Sequence, residues 1–218
     1  MGTKRLLKSI AWKMLPWAGL ELNTHSGLKL PVRDAGEWGC LGEVFVARAY
    51  EPFWKYLATV RGWVDLGCNA GFFSFALLDQ LRLGQSPGNS SAFLGDANEH
   101  CVAQTLRSIQ QNGLADCWHC RHVVVGPTGQ TVNFAQFKFS VHSGIFSKQR
   151  GEKNFRYQTT DLTQLEDHFQ GRYDLLKIDI EGAELFLFQD YGDWLKRFRY
   201  GLCEWHAPHF DGAALQSS

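Results

Sequence analysis

Two stretches of this chain carry residue types at spacings that could do chemistry. The first is V-D-L-G-C-N-A-G-F-F-S, residues 64–74. Val64 and Leu66 are strand-like apolar positions, Gly67 and Gly71 bracket a turn, and Phe72, Phe75 and Ala76 follow at helical spacing. A strand that runs through a glycine turn into a helix aims backbone N–H groups at whatever lies on the turn. Gly67, Cys68, Asn69 and Gly71 are therefore expected to cradle a nucleotide-like ligand. The second stretch is L-L-K-I-D-I-E-G-A-E, residues 175–184. Strand alternation puts Lys177, Asp179 and Glu181 on one face. Three charged residues closing an apolar strand are costly to bury unpaired. A site explains them, with the acids serving substrate, proton transfer or a divalent metal held between Asp179 and Glu181. The plainer reading is that Lys177 neutralises Asp179 and that Glu184 starts the next helix. Two more polar points follow strand-like runs. Asp96 closes A-F-L-G-D and could accept hydrogen bonds from both hydroxyls of a ribose, or simply cap the helix starting at Asn98. His206 closes Y-G-L-C-E-W-H and is a candidate general base. His142, in an irregular stretch, is a weaker one.

The elements needed to position these residues alternate along the chain. Strands are expected at 92–96, 117–126, 131–134, 173–180 and 200–206, besides the one entering the glycine turn. Helices are expected from Phe72, over 98–112, 161–169 and 183–198. A helical pattern from Glu43 to Leu57, divided near Pro52, could help roof the pocket. Residues 26–40 read as loop with short strands, 140–156 as irregular, and 1–20 as holding a short amphipathic helix that ends near Pro16. Strand–helix alternation implies a Rossmann-like, doubly wound and mostly parallel α/β sheet. In such a sheet ligands lie beyond the carboxyl ends of the strands. Asn69, Asp96, Asp179, Glu181, Glu204 and His206 should therefore meet at one mouth. The domain proper is read as 43–218, preceded by an extension over 1–42.

Spacing and composition exclude several classes. The turn is G-x-x-x-G, neither the G-x-G-x-x-G of dinucleotide binding nor a phosphate loop ending in Lys and Ser or Thr. Formal net charge is zero, with 22 basic and 22 acidic residues, which argues against a nucleic-acid groove. No N/D-P-P-Y-type motif for a flipped base is present, and no apolar run is long enough for a membrane span. The six cysteines are scattered; C-W-H-C at 117–120 lacks a second pair for zinc. Free thiols in a reducing cytoplasm are the expectation.

The motif D-x-G-x-x-x-G resembles motif I of class I S-adenosylmethionine-dependent methyltransferases. Taken with K-x-D-x-E-G-x-E about a hundred residues later, it resembles the FkbM family of that class. Asp65, Gly67, Asn69 and Gly71 match the first motif; Lys177, Asp179, Glu181, Gly182 and Glu184 match the second. Glu204 and His206 fit an E-x-H near the fifth strand. The resemblance runs from about Glu43 to His206. It implies S-adenosyl-L-methionine as cofactor, with Asp65 at its ammonium, Asp96 at its ribose, and Gly67, Cys68, Asn69 and Gly71 as the backbone cradle. It implies methyl transfer to a hydroxyl of a small molecule, sugar or glycan, with His206, Asp179 or Glu181 as the base. Two departures stand out: Asp96-Ala97 replaces the family's usual Glu-Pro, and only a dozen residues follow His206. The short C-terminus leaves two further expectations: a catalytically inactive homologue acting as a partner or regulatory module, and a homodimer formed at an exposed sheet edge.

Overall fold

The computed structural model describes residues 19–84, 90–136, 153–168 and 173–206. His142 and the amphipathic segment at 1–18 lie outside them. Five parallel strands form the central sheet. In chain order the strands are β1 (Glu21–Asn23), β2 (Lys29–Pro31), β3 (Gly62–Leu66), β4 (Ser91–Asp96), β5 (Trp118–His122), β6 (Thr131–Gln136), β7 (Lys153–Gln158), β8 (Leu175–Ile178) and β9 (Tyr200–Cys203). The sheet order is β5-β4-β3-β8-β9, with β1-β2 and β6-β7 as separate antiparallel hairpins. The helices are α1 (Ala35–Leu41), α2 (Glu51–Leu57), α3 (Phe72–Leu83), α4 (Glu99–Gln111), α5 (Glu184–Asp190) and α6 (Gly192–Leu195).

Alternation along the strands builds a core on each face of the sheet. Trp63, Ala92, Leu94 and Leu175 point to one side, where they meet Phe73, Phe75, Leu77 and Ile109 of α3 and α4. Val64, Leu66, Phe93, Leu176 and Ile178 point to the other, where they meet Leu187 and Trp194 of α5 and α6. Burial on both faces is why these strands read as short apolar runs. Leu28, Leu30, Val32 and Leu41 belong to the first core, so the segment before residue 43 packs into the same body as the sheet.

Several local expectations are revised. Residues 26–40 hold the helix α1 as well as β2. Asp34 caps it by accepting a hydrogen bond from the Glu37 N–H, and the glycines within it obscured the pattern. A single π-helical turn at Gly42–Val46 follows, and α2 opens with Pro52 in its first turn. The expected helix over 183–198 is two short ones meeting at Tyr191 and Gly192. The helix over 161–169 is a 3-10 helix, Leu162–His168, with Asp161 accepting from Thr163. Residues 153–156, read as irregular, belong to β7, because pairing with β6 supplies the order that side-chain pattern does not.

Candidate active site

β3 pairs with β4 on one side and β8 on the other, so the chain reverses its winding direction at β3. The carboxyl ends of strands diverge at such a switch point and leave a crevice. A cavity of about 360 Å³ opens there. It is lined from every strand end of the sheet: Val123 and Val125 after β5, Asp96 and Ala97 at β4, Gly67 to Asn69 after β3, Asp179 to Glu181 after β8, and Glu204 and His206 after β9. Cys40, Glu43, Val44 and Tyr50 cover it from α1, the π-turn and the start of α2, and Phe134 closes it from β6. The strand order gives the crevice a polarity. Its β5 end is apolar; its β8–β9 end is charged.

The two motifs are locked to each other at Gly67. Its φ is +75°, a left-handed backbone, and a Cβ built on it would overlap the carbonyl oxygen of Asp179 and lie 2.6 Å from that carbonyl carbon. Only glycine allows the second motif to approach the first so closely. Gly71, at φ +79°, does a different job. It does not line the cavity, and a Cβ there would press on Phe75, Thr105 and Leu94 at 3.1–3.3 Å. Asn69 and Glu181 also carry positive φ, +49° and +51°. Asn tolerates this conformation, whereas Glu pays about 1–2 kcal/mol for it. Both face the cavity, and non-glycine backbone strain held at a cleft is a mark of function.

Asp65 does not stand where sequence reasoning put it. It has no exposed surface and does not line the cavity. Its Oδ2 accepts a hydrogen bond from the Ser74 hydroxyl at 2.7 Å, and Ser74 in turn accepts from Trp63 Nε1. Its Oδ1 lies 3.4 Å from Lys177 Nζ, its direct neighbour in the β3–β8 register. A ligand's ammonium cannot contact Asp65 here; its charged partner is Lys177. Lys177 is 4% exposed, donates to the Gly67 carbonyl and to Asp179 Oδ2, both at 3.1 Å, and so ties both motifs to one cation. Burial works against that charge, but the carboxylates of Asp179 and Asp65 outweigh it and raise the lysine well above its usual range.

Asp96 lines the cavity as expected. Its two oxygens accept backbone N–H groups from Asn69 and Asn98, both at 2.8 Å, so it bridges the glycine turn to the start of α4. The helix cap itself is Asn98. Each oxygen keeps acceptor capacity for a ligand hydroxyl. Burial pushes the Asp96 carboxyl up to about 6, against the two backbone hydrogen bonds that lower it.

Asp179, Glu181 and His206 come together at the charged end, each half-buried. Among the described residues they offer ligand atoms within 4.8 Å of one another, a spacing that suits proton exchange or a shared cation. His206 Nε2 lies 3.9 Å from Asp179, 3.8 Å from Glu181 and 3.8 Å from Glu204. Burial raises Glu181 to about 7; Asp179 and Glu204 add to the shift and His206 opposes it. Burial alone would lower His206, but the Glu184 hydrogen bond and the surrounding carboxylates raise it overall.

Residues 66–216, more than half of the chain, match the model of the methyltransferase FkbM domain. The chain belongs to the FkbM methyltransferase family. No curated protein sequence matches it. Among solved structures, the Bacillus cereus O-methyltransferase in complex with SAH is 16% identical, with a TM-score of 0.40 over 74% of this chain and 62% of that one. The O-methyltransferase TomG from Streptomyces achromogenes, in complex with SAM, is 12% identical, with a TM-score of 0.39 over 78% and 64%. The human methyltransferase 10 domain containing protein is 13% identical, with a TM-score of 0.40 over 92% and 78%. The chain thus spans less than two thirds of either of the two O-methyltransferases. No helix among the described residues is long and apolar enough to cross a membrane.

Four residues at or beside the cavity are not singled out for these places by the sequence. The sequence puts Lys177 beside Asp179 and Glu181, but nothing in it says that Asp65 lies opposite Lys177. Glu184 matches the second motif and does start a helix, and its side chain is wholly buried against His206. Phe134 and Cys40 lie far from both motifs, and only the tertiary fold brings them to the cavity.

Proposed function

We propose that this chain is an S-adenosylmethionine-dependent O-methyltransferase whose acceptor is a hydroxyl of a small molecule, sugar or glycan. The observation that carries the reading is the polarity of the crevice. Apolar Val123, Val125 and Phe134 suit a flat heterocyclic base at one end. Asp96 at the next strand end suits a ribose. The left-handed Gly67–Asn69 turn leaves room for close backbone approach in the middle, and the carboxylates beyond it suit a cationic amino-acid end. These are the parts of S-adenosylmethionine in their chemical order, so the residues present fit it. When bound, that cofactor supplies an electrophilic methyl group.

The chain's own task is to hold an acceptor hydroxyl at the charged end and take its proton. A hydroxyl is a weak nucleophile until its proton leaves, so a positioned base supplies much of the benefit, with orientation supplying the rest. His206 Nε2 faces the cavity with Glu181 and Asp179 around it. The carboxylates stabilise the imidazolium that forms when it accepts the proton. Tyr50 and Val44 cover the cavity.

Calorimetric titration with S-adenosylmethionine and S-adenosylhomocysteine tests the cofactor half. Micromolar binding by the wild type, weakened at least tenfold in Asp96→Ala, is the expected result. A folded wild type that binds neither would overturn it. Transfer of an isotopically labelled methyl group to a panel of glycosides, polyols and phenols tests the acceptor half. Label recovered on nitrogen or carbon instead of oxygen would refute the O-methyl assignment.

A further inference from the structure

His206 is held from behind by a carboxylate that no part of the proposed chemistry has yet used. Glu184 has 0% exposed surface, and its Oε1 lies 2.9 Å from His206 Nδ1. The same oxygen accepts the Gly182 backbone N–H at 3.2 Å, so it is an acceptor in this arrangement and Nδ1 must donate. Its other oxygen, Oε2, is buried without a hydrogen-bond partner. Burying a carboxylate with one oxygen unpaired is costly, and natural cores avoid it unless something is gained. The local backbone is shaped to make this contact. Glu181 and Gly182 take consecutive positive φ values, +51° and +103°. That sharp turn carries Glu181 to the cavity wall while Glu184, three residues on, lies beneath His206.

We propose that Glu184 is a positioning residue: its buried carboxylate holds His206 as the Nδ1–H tautomer and leaves Nε2 as the basic nitrogen facing the cavity. The inference rests on the reading of His206 as the base that takes the acceptor's proton. In a neutral imidazole one nitrogen donates and the other accepts, and the fixed partner of one decides the role of both. With Nδ1 committed to Glu184, a proton taken from a hydroxyl can go only to Nε2. The ring then becomes an imidazolium with Nδ1–H still on Glu184. Asp179, Glu181 and Glu204, at 3.8–3.9 Å, surround the nitrogen that gains the charge. Without Glu184 the ring could turn or change tautomer and present an N–H to the hydroxyl, which blocks proton uptake.

The test reads the tautomer directly, in the full chain and without an acceptor. The eight histidines are labelled with nitrogen-15, and long-range proton–nitrogen spectra are recorded up to the alkaline pH at which the rings are neutral. His206 signals are identified by their loss in His206→Asn. The expected wild-type pattern is a protonated Nδ1 and an unprotonated Nε2. Glu184→Leu, which removes the acceptor, should shift the ring to Nε2–H, whereas Glu184→Gln, which keeps a carbonyl oxygen in place of Oε1, should retain Nδ1–H. A merely structural glutamate predicts no difference in tautomer between these variants. A wild-type Nε2–H ring, or a folded Glu184→Leu that keeps Nδ1–H, would overturn the proposal. If Glu184→Leu does not fold, the wild-type and Glu184→Gln spectra still decide it. Calorimetry with S-adenosylhomocysteine on the same samples separates the two ideas. Binding with the wrong tautomer sinks this inference alone, and the right tautomer without binding sinks the cofactor reading alone.

Discussion

Replacing Gly67 by alanine tests whether the two motifs are locked as tightly as the structure describes. Two costs apply. An L-residue at φ +75° costs about 1–2 kcal/mol. The new Cβ also overlaps the Asp179 carbonyl and lies 3.3 Å from the Ile180 nitrogen, all of it backbone that no rotamer change can clear. Relief requires β3 and β8 to part at their carboxyl ends, where the Asp179 N–H donates to the Leu66 carbonyl at 2.9 Å. Overpacking of this kind costs about 1–3 kcal/mol, and a weakened hydrogen bond about 1 kcal/mol more. The sum is about 4 kcal/mol. Gly129 is the internal control, because its φ is +71° and a Cβ there would meet nothing within 4 Å. Gly129→Ala therefore carries only the conformational cost, about 1–2 kcal/mol. In a chain of this size each kcal/mol shifts the melting midpoint by about 2–4 °C, so the two variants should be separable by thermal and urea unfolding. S-adenosylhomocysteine binding should be weakened in Gly67→Ala and unchanged in Gly129→Ala. Equal losses of stability in the two variants would mean that β8 does not crowd Gly67, and the account of how the motifs meet would be wrong.

Three further outcomes follow from the buried polar groups. Lys177→Met should cost about 3–5 kcal/mol, because Asp65 and Asp179 lose the cation between them; adding Asp65→Asn should recover part of that loss in a double-mutant cycle of unfolding energies. Ser74→Ala should cost about 2 kcal/mol in urea unfolding, since it leaves the buried Asp65 Oδ2 and Trp63 Nε1 without the hydroxyl that joins them. Asp96, with its folded pKa raised to about 6, binds its proton more tightly folded than unfolded. Its contribution to stability is therefore fully present below about pH 4 and is lost as pH rises through about 6, by about 3 kcal/mol at most. A carbon-13 titration of the Asp96 carboxyl should show its midpoint near 6, and a midpoint near 4 would refute the desolvation argued for it.

The chain's own order of residues determined the fold class and the main residues at the cavity. Val64 and Leu66 before a glycine turn, and apolar runs alternating with helical patterns, leave few arrangements besides a parallel sheet, because each strand must bury both faces. Once the sheet is parallel, residues that close its strands must share an end. That is why Asp96, Asp179, Glu181 and His206 could be grouped from sequence, and all four line the cavity. Helix α1 and strand β7 were not legible in the same way. Glycines in the first and weak alternation in the second leave local propensity silent, and packing and pairing with β6 decide them.

What only the tertiary structure decided is which charges face the cavity and which face each other. Asp65 and Lys177 are 112 residues apart in sequence yet opposite in register, so the acid of the first motif is spent on the lysine of the second. Glu184 and His206 meet because one turn at Glu181–Gly182 folds the start of α5 under the end of β9. Sequence periodicity reports which face a residue takes within its own element. It carries no information on the register between elements distant in the chain, and a buried charge is either a partner or a site according to that register.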